Sequence, residues 1–304
     1  MAAVPAQRTV PPAAPDIMRM SVVQLTAHAT YATGTKNHLE AARTHARLAE
    51  MRAPEDHRRM IDLIEAFTEF VLEQCAHGGG ADDDHERNVR AKTQTLGKTL
   101  LSIAVDTKVS RLIRITTMFV EIVYAIEEGL TLRRSTFAYA AQIADDSHTL
   151  LEHLCTFGSA IEGVPAVSRA IGGRMVRNMA TISICLHMRG VAQPDNSAER
   201  REQHIRGGVA ALQRATELHP EATMRYQELQ KASSYASTFA ETSNDRDVHI
   251  IAASIHERAH EESVGRQVLE QGCNELKGWA KHKEAAEYHA WQAANLAVPA
   301  RVGQ

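Results

Sequence analysis

From residue 16 to residue 299 almost every stretch of this chain reads as amphipathic helix, and two proline-bearing ends, MAAVPAQRTVPPAAP and LAVPARVGQ, bracket it. Apolar residues recurring three and four apart place one stripe of each segment towards a core, a pattern that a strand, with its period of two, cannot use. In residues 59–72, Met60, Leu63, Ile64, Phe67 and Val71 share one face, and Asp62, Glu65, Glu69 and Glu73 fall mostly on the other. A chain of 304 residues, 44% of them hydrophobic, can bury a substantial core. Only 5% are aromatic, so Ala, Leu, Ile, Val and Met must fill that core, which suits helix packing better than a β-sandwich. The expected fold is all-α.

Start and stop signals divide the helical region. Asp16 precedes MRMSVVQLTAHATYA, and Pro54, Pro165 and Pro220 stand near the first turns of further periodic segments. Others run over residues 89–105, 109–126, 131–157 and 246–295. The last is too long for one ordinary helix, with Gly265, Gly272 and Gly278 as candidate breaks. LQRATELH followed by Pro220 predicts a helical hairpin at His219 and Pro220. Polar, glycine- or proline-bearing stretches at 77–85 and 190–197 read as loops. The second predicts two lobes: a larger one over 16–190 and a smaller one over 195–298, with extended arms at 1–15 and 299–304.

No run of about 18 apolar residues is free of charge. The best, near 118–126, contains Glu121 and ends at Glu127 and Glu128. The amino terminus has no basic start before an apolar run, and prolines at 5, 11, 12 and 15 oppose a transit helix. The expectation is a soluble, non-secreted protein of cytoplasm or virion, without a membrane partner. Cys75, Cys155, Cys185 and Cys273 form no C-x-x-C pair and read as reduced core thiols. His77, His153 and His187 each lie two residues from a cysteine, about 200° away on a helix, so a shared metal is disfavoured.

One motif carries a reaction mechanism, His256-Glu257-Arg258-Ala259-His260. On a helix His256 and His260 share a face, so they could bind zinc while Glu257 acts on a metal-bound water. Against it stand the charged Arg258 and Glu261, with Ser263 and Arg266 where the extended motif needs Gly and His. A zinc hydrolase is therefore the enzymatic alternative, and an enzyme is not the favoured expectation. His249 joins His256 and His260 within about 40° on one helix, a row that reads as a polar boundary. Sixteen histidines against a net charge of −3 predict a response between pH 7.5 and 5.5. Asp145 and Asp146 read as a solvated helix face, and the R-x4-H spacings Arg52/His57 and Arg214/His219 receive no role.

Charge is uneven. Residues 1–86, 87–180 and 181–304 carry net charges of −5, +4 and −2. In the basic middle Lys98, Lys108, Arg111, Arg114, Arg133, Arg134, Arg169, Arg174 and Arg177 could converge on a phosphate-binding cleft. Free N–H groups near Gly172 and Gly173, and stacking by Phe137 and Tyr139, would assist it. A helical core, arms at both ends and a basic middle resemble the layout of viral nucleoproteins and helical coat proteins, with no motif beyond the layout. The expected function is a self-assembling structural protein that packages single-stranded RNA as a homo-oligomer, with no cofactor. The binding alternative is a helical scaffold or adaptor without nucleic acid.

Overall fold

A computed structural model describes residues 16–77, 83–132, 137–159, 166–217, 226–241, 243–269 and 276–296. All the regular structure in them is helical: a 3-10 turn, Ile17–Arg19, and eleven α-helices. In chain order these are α1 (Val22–Gly34), α2 (His38–Met51), α3 (His57–His77), α4 (Asp83–Asp106), α5 (Ser110–Leu132), α6 (Ala138–Ser159), α7 (Ala166–Ala192), α8 (Ala198–Thr216), α9 (Tyr226–Glu241), α10 (Arg246–Leu269) and α11 (Leu276–Asn295). The two arms, the hairpin at His219 and Pro220, and Cys273 lie outside the described residues.

Local chemistry sets the boundaries. Asp16 caps only the 3-10 turn, accepting from Met18 N, whereas α1 begins after Ser21, which forms a reciprocal capping box with Gln24. Asn37 and Ser197 cap α2 and α8 through their side-chain oxygens. Asp56 accepts from Arg58 N, so α3 starts at His57, past Pro54. Lys36, Lys108 and Phe137 take φ values of 59°, 56° and 46°. Each sits just outside a helix, where one left-handed residue breaks the repeat. The long segment at 246–295 divides between Leu269 and Leu276, so Gly265 and Gly278 are accommodated within helices.

Two large apolar clusters meet along α7. The first joins α3 to α7 and includes Phe67, Leu100, Phe119, Ile126, Leu151, Met175 and Met179. The rings of Phe67 and Phe119 are tilted with centroids 5.8 Å apart. The second joins α7 to α10 through Ala180, Ile184, Ile205, Leu212, Phe239, Val248 and Ile255. Because α7 sends Met175, Met179 and Ile182 one way and Ala180 and Ile184 the other, it is apolar on two faces, as a central helix must be. A smaller cluster of Leu25, Ala29 and Leu48 packs α1 on α2. No described helix is long and apolar enough to cross a membrane.

Candidate functional site

The basic residues of the middle segment occupy different environments. Lys98 of α4, Lys108 of the α4–α5 turn and Arg114 of α5 are exposed. Arg111 donates to the Leu154 carbonyl and so ties α5 to α6. Arg169 is half-buried on α7. Arg133 and Arg134 lie outside the described residues.

Arg174 and Arg177 turn inwards to α3. Arg174 Nη1 is 3.1 Å and Arg177 Nη2 2.9 Å from the same Glu65 Oε1, and Arg177 is only 3% exposed. Asn178 donates to Thr68 Oγ1 beside them at 2.9 Å. One carboxylate thus holds two guanidiniums, and these two arginines fasten α7 to α3. Gly172 and Gly173 sit within α7, beyond the first-turn residues whose N–H groups are free, so they offer no phosphate nest. A Cβ on Gly172 would lie 2.9 Å from Cys155 Sγ, so its role is close packing. Phe137 is buried and Arg189 stands 5.8 Å from its ring centroid, whereas Tyr139 is exposed.

The HERAH segment lies on α10, but the partners of His256 come from other helices. Its Nε2 is 2.8 Å from Ser237 Oγ of α9, and its Nδ1 is 3.2 Å from His282 Nδ1 of α11. Both ring nitrogens therefore face protein groups, and Glu257 is exposed. This geometry departs from a zinc-hydrolase site. Among the described residues no group of three His, Cys, Asp or Glu side chains is set to hold a metal ion.

Seven residues earlier on α10, and seven later on α11, the pairing repeats: His249 Nδ1 is 3.2 Å from His289 Nδ1. His249 Nε2 lies 3.3 Å from the Ser243 carbonyl, which can only accept, so Nε2 carries the proton. In the neutral ring Nδ1 then accepts from His289 Nδ1–H. His256 and His289 also stack, with centroids 5.6 Å apart, so the two rungs form one imidazole seam. Burial, reinforced by His282 and His289, pushes His256 down to about 4. Burial likewise lowers His282, aided by His260, and His289, aided by His249. Of the row His249, His256 and His260 read from sequence, His249 and His256 thus form one side of a two-helix seam.

A second polar cluster lies where α6, α7 and α8 meet. Asp145 accepts from Ser183 Oγ and Arg214 Nη2, both at 2.6 Å, and its other oxygen lies 3.0 Å from His187 Nε2. Burial alone would raise this carboxyl, but His187, Ser183 and Arg214 together hold it below the usual range. The solvated-face expectation is corrected for Asp145, an internal hub, while Asp146 is exposed. His187 Nδ1 is 3.1 Å from His204 Nδ1. Each ring rests on a glycine of the facing helix, His187 on Gly207 and His204 on Gly190, where any Cβ would collide with the imidazole. His148 is fully buried beside them, and burial together with Arg214 pushes it down to about 4.

Sequence reasoning missed these pairs because each joins residues on separate helices. The free Cys75 thiol likewise shares a hydrogen bond with the Cys185 thiol, a contact between α3 and α7 that no local spacing announces. No protein-family model, curated protein or solved structure matches this chain.

Proposed function

We propose that this chain is a non-catalytic helical building block that works by self-association. The observation that carries the reading is the placement of its exposed apolar side chains. Met18, Val23 and Tyr31 are 62%, 79% and 68% exposed at the first described elements, and Tyr288 and Trp291 are 50% and 61% exposed on α11. Met51, Val105, Tyr139, Leu150 and Ile250 are exposed as well, and large apolar groups left in water favour burial against another chain, with Tyr and Trp the residues that anchor such contacts. Tyr288 and Trp291 are one turn apart and Tyr288 accepts from Gln292 Nε2 at 3.0 Å, which limits the ordering cost on association.

The cargo in this reading is single-stranded RNA. Its support is the exposed set Lys98, Lys108 and Arg114, three cations on α4, the α4–α5 turn and α5 of the net-positive segment. Sedimentation and light scattering of the purified chain test the assembly, and its absorbance ratio at 260 and 280 nm tests the cargo. A monomer at all concentrations, unaffected by Trp291→Ala together with Tyr288→Ala, overturns the first part. An assembled protein free of nucleic acid favours the scaffold reading instead.

A further inference from the structure

A cavity of about 340 Å³ opens between α1, α2 and α3, with Arg174 of α7 in its wall. Its volume is at the small end of the range for small-molecule sites. Leu48 and Ile61 give it an apolar surface, and charged groups surround them.

The charges do not cancel. Of the two acids in the wall, Glu65 holds both Arg174 and Arg177. Asp62 accepts from Arg52 Nε. Arg58 and His45 of the wall make no hydrogen bond to a carboxylate among the described residues. Arg58 is exposed, and its guanidinium has no carboxylate partner among the described residues. His45 Nδ1 lies 3.6 Å from Asp62 Oδ1, within ion-pair range, and is buried without a hydrogen bond. Burial alone would lower His45, but Asp62, Glu65 and Glu69 outweigh it and hold the imidazole above its ordinary value. The arrangement is an imidazole 3.6 Å from a carboxylate and an exposed arginine without a carboxylate partner among the described residues, both lining one partly apolar cavity.

We propose that this cavity binds a small organic acid, its carboxylate or phosphate held by Arg58 and His45 and its carbon body resting on Leu48 and Ile61. Arginine supplies the planar two-point donor that either anion accepts, and a protonated His45 adds a second charge. Bound anion would also link α2 to α3, so occupancy should stabilise the fold.

Titration calorimetry of the full chain with inorganic phosphate and, separately, with butyrate tests it. The expected result is saturable one-to-one binding of at least one probe, weakened about ten-fold or more by Arg58→Gln and by His45→Gln. Arg201→Gln, on the exposed face of α8, should bind as the unaltered chain does. Binding of phosphate alone assigns a phosphorylated ligand, and stronger binding of butyrate assigns a carboxylate whose carbon chain uses the apolar wall. Because Arg58 is exposed and makes no ion pair among the described residues, Arg58→Gln should fold normally by circular dichroism. Absence of saturable binding by both probes overturns the proposal, as does undiminished binding in folded Arg58→Gln.

Discussion

His256 of α10 and His282 of α11 face each other with their Nδ1 atoms 3.2 Å apart, a separation that accommodates one shared proton but not two positive rings. His249 and His289 face each other at the same 3.2 Å, so the docking of α11 on α10 disfavours positive charge on both rings of a pair. A seam of this kind joins the two helices at neutral pH and is strained by acid.

Acid should therefore destabilise the fold in a defined window. His256 and His148 both lie near 4 in the folded chain, against about 6.5 when unfolded. Below pH 6.5 the unfolded chain binds the extra protons, so the contribution of these two histidines is complete above that pH, falls as pH drops towards 4, and levels off below. Each such histidine contributes a slope of about 1.4 kcal/mol per pH unit across the window. The window lies lower than the sixteen histidines alone imply, because burial holds these rings neutral. Urea unfolding at half-unit pH steps should show the fall, and His256→Gln should flatten it. A midpoint that is level from pH 6.5 to 4.5 would contradict the seam.

Glu65 and Arg177 supply a second expectation. Arg177→Ala removes one of the two guanidiniums on Glu65 and leaves Arg174 in place, so no charge is stranded and the loss is that of a charge-assisted hydrogen bond. It should lower stability by about 1.5–3 kcal/mol, while Lys98→Ala, at an exposed position, should change it by less than about 0.5 kcal/mol. Equal effects from the two substitutions in chemical denaturation would show that the Glu65 pair does not fasten α7 to α3.

Gly190 and Gly207 are needed for a steric reason. A methyl group at either position would enter the imidazole of His204 or His187, and those rings are confined by their mutual contact and by Asp145. Gly207→Ala should cost about 1–3 kcal/mol through overpacking, despite the better helix propensity of alanine. A stabilised Gly207→Ala chain on thermal unfolding would refute the reciprocal packing.

The helical class was legible because each apolar stripe is a local, periodic signal. Pro165 marks the start of α7 at Ala166, and Pro194 lies in the turn that ends before Ser197 caps α8. Positions set by competition between nearby signals were less legible: Asp16 offers a cap, but the Ser21–Gln24 box offers two reciprocal bonds, and α1 starts there. What pairs across helices could not be read at all. The histidine row on α10 is visible in sequence, but its alignment with His282 and His289 is decided by packing. Arg174 and Arg177 look like free cations until α3 brings Glu65 against them.

That last contact changes which arginines can bear on nucleic acid. A guanidinium already neutralised by a carboxylate gains little from a phosphate and would have to surrender an internal bond to reach it. Lys98, Lys108 and Arg114 are exposed and have no such debt to the fold. If RNA is the cargo, the triple variant with glutamine at these positions should bind single strands more weakly regardless of their sequence. Its salt dependence should also flatten by about two units of log K per log salt, since each phosphate contact on a single strand contributes roughly 0.7. Filter binding of unrelated oligonucleotides across a salt series measures both quantities. Glu65→Gln supplies the contrast, because it loosens Arg174 and Arg177 without removing their charge: RNA binding that rises in this variant would mean that the internal arginines compete for phosphate, and binding that is unchanged leaves the exposed set as the only contact. An unaltered salt slope in the folded triple variant would remove RNA from the proposed function and leave self-association alone.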